Sequence, residues 1–282
     1  GKGITIALID TPVDLSDPEL AGANITDKSR CTLEPSQTSS PHGNWMAALL
    51  VSQNYGVAPD ATLYTYQTAT DGAASSGSCK QGANKLDRME NLINQAIDDG
   101  AQIISISLSN NERSSEIKWA ITRAINEGVI IVSSSGNEAI YDDFTHLGRW
   151  SGVVGVTAIN TDGTFASYSS WGNGVVTAAV GGPVTIRDAN TGELTTTSGT
   201  SNATALVSGM LALARQKWPS ATTNQILQSL VRSGLNPNHE WNQYTGYGAI
   251  DGGGLVIDDP SQYPDENPLL NKPGGSEPTA NE

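Results

Sequence analysis

Six short runs rich in Ile, Val, Ala and Tyr recur along the chain, at residues 4–9, 62–67, 102–108, 129–134, 153–158 and 175–180. Stretches near 43–52, 84–99, 114–127, 201–217 and 222–232 instead space their apolar residues at the helical period. Two strands pointing the same way need a crossover of about a dozen residues or more, and a helix is the usual one. The alternation therefore predicts an α/β fold, a doubly wound, mostly parallel sheet with helices on both faces. Ligand sites of such sheets lie at the carboxyl ends of the strands. Asp10 ends the first run, Leu108 ends the third, and Asn137 lies just past the fourth, so their positions predict one shared cleft.

With 282 residues, of which 37% are hydrophobic, the chain has enough apolar surface for one large domain, expected over residues 1–257. From Asp258 the composition changes, with Pro260, Pro264, Pro268, Pro273 and Pro278 set among Gly, Ser, Asn and Glu. Such a segment buries too little to offset its ordering entropy, so residues 258–282 are expected to be a tail, either an arm along the surface or a linker to an anchor. The net charge of −14 argues against a nucleic-acid partner, which demands a basic surface. No stretch has the length of a transmembrane helix. Gly1-Lys2-Gly3 runs straight into the first apolar segment, as in a mature, trimmed form.

Three residues stand out chemically. A carboxylate closing an apolar run, as Asp10 does, is tolerated only when hydrogen-bonded. His42 opens the apolar helical pattern Trp45, Met46, Leu49, Leu50 and so sits at a helix start. Ser201 begins a long helix of small residues, where the helix dipole favours developing negative charge. A serine hydroxyl is a weak nucleophile until a base takes its proton, and histidine suits that task near neutral pH. The other two histidines, His146 and His239, lie in loop-like contexts and are expected to have ordinary surface or loop roles. Asp14, Asp17 and Glu19 follow Asp10 in a turn and are expected to be solvated. They do not amount to a calcium site, and neither a metal nor a cofactor is expected.

Asp10-Thr11, His42-Gly43 and Gly199-Thr200-Ser201, in that chain order, resemble the subtilisin-like serine proteases, whose triad order is a known template. Residues 56–61, 105–109, 134–138 and 165–172 look like further landmarks of that family, in its order. The resemblance implies a triad of Asp10, His42 and Ser201, and an oxyanion hole formed by Asn137 and the Ser201 N–H. It implies pocket walls at Ser107, Leu108, Ser109 and at Ser134, Ser135, Gly136, which bind an extended peptide or protein substrate. It further implies a monomeric endopeptidase that is secreted or held at the cell surface and matured by loss of a propeptide. Cys31 and Cys79, the only cysteines, are then expected to pair in a disulfide.

Several positions depart from the family pattern. Pro12 stands where Gly is usual, Asn44-Trp45 where Thr-His is usual, and Ser109 where Gly is usual. Glu138, Asp142 and Asp143 near the expected pocket rim hint at tolerance for a basic side chain. Ala205 replaces a Pro near the start of the nucleophile helix, a relaxation that suits acyl transfer to amines, so a transpeptidase is the alternative enzymatic reading. A non-catalytic peptide-binding pseudoprotease is the third, although no triad member is lost.

Overall fold

The structure, a computed structural model, describes residues 1–33, 41–69, 77–80, 86–108, 114–141, 146–187 and 191–273. Seven strands form one sheet among these residues: β1 (Thr5–Asp10), β2 (Asn24–Asp27), β3 (Thr62–Gln67), β4 (Ile103–Ile106), β5 (Ile130–Ser134), β6 (Val153–Asn160) and β7 (Val175–Gly182). Their order is β2-β3-β1-β4-β5-β6-β7, and every pairing is parallel. The sheet reverses its winding direction at β1, the strand that ends in Asp10.

Side chains of successive strand residues point to opposite faces, and the two cores follow that alternation. Ile6 and Leu8 of β1, with Val132 of β5, enter one core beneath α1 (His42–Val51), α4 (Thr200–Lys217) and α5 (Thr223–Arg232). Ala7 and Ile9, with Ile131, enter the other beneath α2 (Met89–Asp98) and α3 (Ser115–Asn126). The long helix α4 crosses β4 to β7 and buries the small residues Ala203, Ala205, Ser208 and Ala212, which allow close packing, while Gly209 lies against Val57.

All six expected strands form. β4 is shorter than its apolar run, because the chain leaves the ladder after Ile106 and turns Ser107 and Leu108 into the cleft. The sequence pattern does not show β2, an exposed edge strand of sequence Asn-Ile-Thr-Asp. Nor does it show the antiparallel hairpin of β8 (Val184–Arg187) and β9 (Leu194–Thr197), which bury little. A short helix α6 (Gly252–Ile257) escapes notice because it opens with three glycines.

Cys31 and Cys79 form a disulfide that closes 48 residues and packs against Leu33. Beyond α6 the chain lies on the domain as far as Pro273. Asp265 accepts hydrogen bonds from Thr222 and Asn224, the Glu266 carbonyl accepts from Gln228, and Leu269 and Lys272 are buried.

Candidate active site

β1 ends in Asp10, whose side chain is 1% exposed. Asp10 Oδ1 accepts from the Thr11 backbone N–H (2.7 Å), from Thr11 Oγ1 (3.3 Å) and from His42 Nδ1 (2.7 Å). Its other oxygen, Oδ2, is buried without a hydrogen-bond partner among the described residues. The contact with Asp10 engages the imidazole at Nδ1 and so sets the orientation of the ring. The His42 side chain is 24% exposed, so the ring faces the cleft while its partner is shielded from water.

His42 is the first residue of α1, as its place before an apolar run predicted. Thr11 Oγ1 accepts from the Gly43 N–H at 2.8 Å, and α1 approaches β1 so closely that a Cβ on Gly43 would lie 2.2 Å from the Thr11 carbonyl oxygen. Only glycine permits this contact. Asn44 fastens the following turn: its Oδ1 accepts from Asp14 N, and its Nδ2 donates to Asp14 O and Asp17 Oδ2. Two carboxylates expected to be solvated are therefore buried and paired instead. Asp17 caps the 3-10 turn at Pro18–Leu20, and Glu19 accepts from Arg187 (2.6 Å) and from Asn54 (3.2 Å). Asp14 remains exposed, bonded to Ser16.

Ser201 is the second residue of α4 and is 7% exposed. Its hydroxyl donates to the Ser107 carbonyl at 3.1 Å, and the Ser107 hydroxyl donates to the Ser201 carbonyl at 3.4 Å, which ties the end of β4 to the helix start. Leu108 is buried beside them, whereas Ser109, Asp142 and Asp143 lie outside the described residues.

Asn137 follows β5 and Gly136, whose φ is +100°. Asn137 Oδ1 accepts from the Thr200 N–H (2.8 Å) and from Thr200 Oγ1 (3.0 Å). Those two donors orient the amide, so Nδ2 faces away from them. A Cβ on Gly199 would lie 3.5 Å from Asn137 Nδ2, 3.6 Å from its Oδ1 and 3.8 Å from Ser201 N, so the amide and the helix-start N–H are neighbours. As the second N–H of the helix, Ser201 N has no acceptor within it. Glu138 is exposed, and its carboxylate accepts from the Asn137 N–H at 2.7 Å.

Ser134 closes β5, and Ser135 follows it before Gly136. Ser135 Oγ donates to the Ser170 carbonyl, and Ser134 Oγ meets His146 Nδ1 at 3.2 Å. His146 is 7% exposed and so has no ordinary surface role. It lines a small cavity with Ser135, Gly148, Arg149 and Trp171. Sequence context alone hid this, because the partner lies a dozen residues away in a strand. His239 ends the exposed 3-10 turn Pro237–His239, with Nδ1 on the Gly234 carbonyl. Ala205 proves to be in the second turn of α4, fully buried, and not in the first turn where a proline would fix the helix start.

The family model described as Subtilase family matches residues 1–248. The chain belongs to the subtilase family. It is 32% identical over 264 residues to a thermostable alkaline protease of Halalkalibacterium halodurans, covering 91% of this chain and 66% of that protein. It is 28% identical to subtilisin E of Bacillus subtilis, covering 82% of this chain and 60% of the relative. The chain thus spans about two thirds of the length of these relatives. Among solved structures, the prenylagaramide maturation protease PagA superposes with a TM-score of 0.73 at 24% identity, covering 90% of this subtilase and 92% of that chain. MycP1 without its propeptide superposes at 0.72 and 22% identity, covering 94% of each chain. These neighbours share the fold.

Proposed function

We propose that this subtilase is a serine endopeptidase that hydrolyses extended peptide or protein substrates through an acyl-enzyme. The observation that carries this reading is the 2.7 Å contact between Asp10 and His42 Nδ1, beside which Ser201 bonds to Ser107, the residue after the β4 partner of Ile9. In this reading the Ser201 hydroxyl, held on the Ser107 carbonyl in the free protein, is passed to His42 Nε2 when substrate binds. That nitrogen takes the proton as Oγ attacks the scissile carbonyl, and Asp10 stabilises the imidazolium that forms. The oxyanion develops between Asn137 Nδ2 and the Ser201 N–H, donors already held in place by Thr200 and by the helix start. His42 then returns the proton to the leaving amine, and water repeats the cycle on the ester. The edges at Ser107–Leu108 and Ser134–Gly136 offer backbone groups for an extended peptide.

Removal of Ser201 by Ser201→Ala, or of His42 by His42→Ala, is expected to lower kcat on a peptide substrate by about 10⁴-fold or more. Undiminished hydrolysis by Ser201→Ala would refute the assignment. The Cys31–Cys79 disulfide supports an exported protein, since such bonds persist in oxidising compartments. Loss of a propeptide and a monomeric state are part of the same reading. The transpeptidase alternative, in which an amine resolves the acyl-enzyme at the same site, loses the ground Ala205 gave it, because that residue lies beyond the first turn of α4. Mass spectrometry of products with and without an added amine separates hydrolysis from transfer.

A further inference from the structure

Residues 266–273 look like spacer in sequence, yet they carry the most deeply buried lysine described in the molecule. Lys272 is 4% exposed, and its Nζ donates to the carbonyl oxygens of Gly148 and Val153, each at 2.6 Å. On either side of it the arm bonds to the same region of the domain: the Leu269 carbonyl accepts from Gly152 N, and the Pro273 carbonyl from Gly174 N. Leu269 is fully buried in the core beneath α4 and α5. Burial, reinforced by the neighbouring Arg149, holds the Lys272 amine well below the usual lysine range. A side chain with that desolvation cost is a firm attachment only while both carbonyl acceptors stay in place.

Gly148, the first acceptor, is packed against the substrate wall. A Cβ there would lie 3.2 Å from the Ser133 carbonyl oxygen and 3.4 Å from that of Ser134, so the loop backbone rests directly on β5. Gly148 and Arg149 line the cavity behind Ser135, together with His146, whose ring contacts Ser134 Oγ. Ser135 is two residues before Asn137, a span of about 7 Å at most. An unbroken series of contacts therefore runs from the arm through Gly148 and the end of β5 to the groups that border Ser201.

We propose that the C-terminal arm straps this wall in place, with Lys272 as the positioning residue that holds the 146–150 loop, and through it Ser134–Gly136, in the conformation that binds substrate. Lys272 touches neither substrate nor triad. Its removal loosens a surface that a peptide must then re-order on binding, a loss felt in substrate affinity and not in the chemical step. The kinetic part rests on the function proposed above, and the structural part does not.

The test compares Lys272→Met and Leu269→Ala with the parent chain, and uses Asp265→Ala as a control that cuts the arm from α5 far from the wall. Active enzyme is counted by titration with a serine-directed phosphonate, so that loss of folded protein is not read as loss of affinity. Lys272→Met is expected to raise KM for an extended peptide about fivefold to tenfold with kcat within twofold, and Leu269→Ala to shift KM the same way. Asp265→Ala is expected to lower thermal stability while KM stays put. Hydrogen exchange of residues 134–137 and 146–150 is expected to quicken in both loosened variants. Parent-like KM and parent-like exchange in Lys272→Met would overturn the strap. If that variant does not fold, Leu269→Ala decides by the same two readings. If the parent chain neither titrates nor hydrolyses, the proposed function falls, and exchange alone decides the strap.

Discussion

Gly43→Ala probes how tightly the acid–base pair depends on the approach of α1 to β1. The added Cβ would lie 2.2 Å from the Thr11 carbonyl oxygen and 3.1 Å from Thr11 Oγ1. A carbon and a non-bonded oxygen need about 3 Å or more, so the helix start and the strand end must part by about 1 Å, at a cost of about 1–3 kcal/mol of stability. That displacement falls on the active site, because Thr11 holds Asp10 Oδ1 and His42 is the residue before Gly43. The Asp10–His42 contact of 2.7 Å would lengthen toward a distance at which it no longer orients the ring. A misplacement of about 1 Å can cost about 10²-fold in rate, which is the expected loss in kcat per titrated site. Gly209→Ala supplies the comparison. Its Cβ would crowd Val57 at 2.7 Å, away from the triad, so stability should fall while kcat per active site holds. A Gly43→Ala enzyme with kcat within threefold of the parent would show that this contact does not position the pair.

Replacing both Cys31 and Cys79 with Ser opens the 48-residue loop and should cost about 4 kcal/mol on the chain-entropy account, read as a lower urea midpoint; an unchanged midpoint would contradict it. Asn137→Leu should lower kcat by about 10²–10³ with KM little changed, since its amide acts on the developing oxyanion; equal kcat would remove Asn137 from the site. Tyr66 is 1% exposed and donates to Asp99 Oδ2, so burial and then Asp99 hold its phenol far above the usual value near 10. The fold therefore favours the neutral form, a contribution fully present below pH about 10 and lost as pH rises beyond it. Tyr66→Phe should flatten the fall in unfolding free energy above that pH, and an identical pH profile would contradict the assignment.

Much of the sheet was readable from the chain, because strands buried on both faces leave long apolar runs such as Ile-Ala-Leu-Ile before Asp10. The exposed strand β2 and the β8–β9 hairpin leave no such trace, since an edge that buries little needs no apolar pattern. Candidate site residues were placed correctly on elements where a helix start or strand end marks them, as with His42 and Asp10. Burial of Asp17 and Glu19 was not legible: their partners Asn44, Asn54 and Arg187 lie 27, 35 and 168 residues away. His146 and Lys272 were missed for the same reason. A polar residue in a loop-like context says nothing of a strand or carbonyl that folding brings to it.

The pairing of Asp10, His42 and Ser201 into one reactive unit is tested most directly by where a fluorophosphonate attaches. Peptide mapping of the treated protein should show one adduct, on Ser201, formed far more slowly in His42→Ala and absent in Ser201→Ala. No adduct on the folded parent protein, or equal labelling of the His42→Ala variant, would contradict an activated serine at the start of α4.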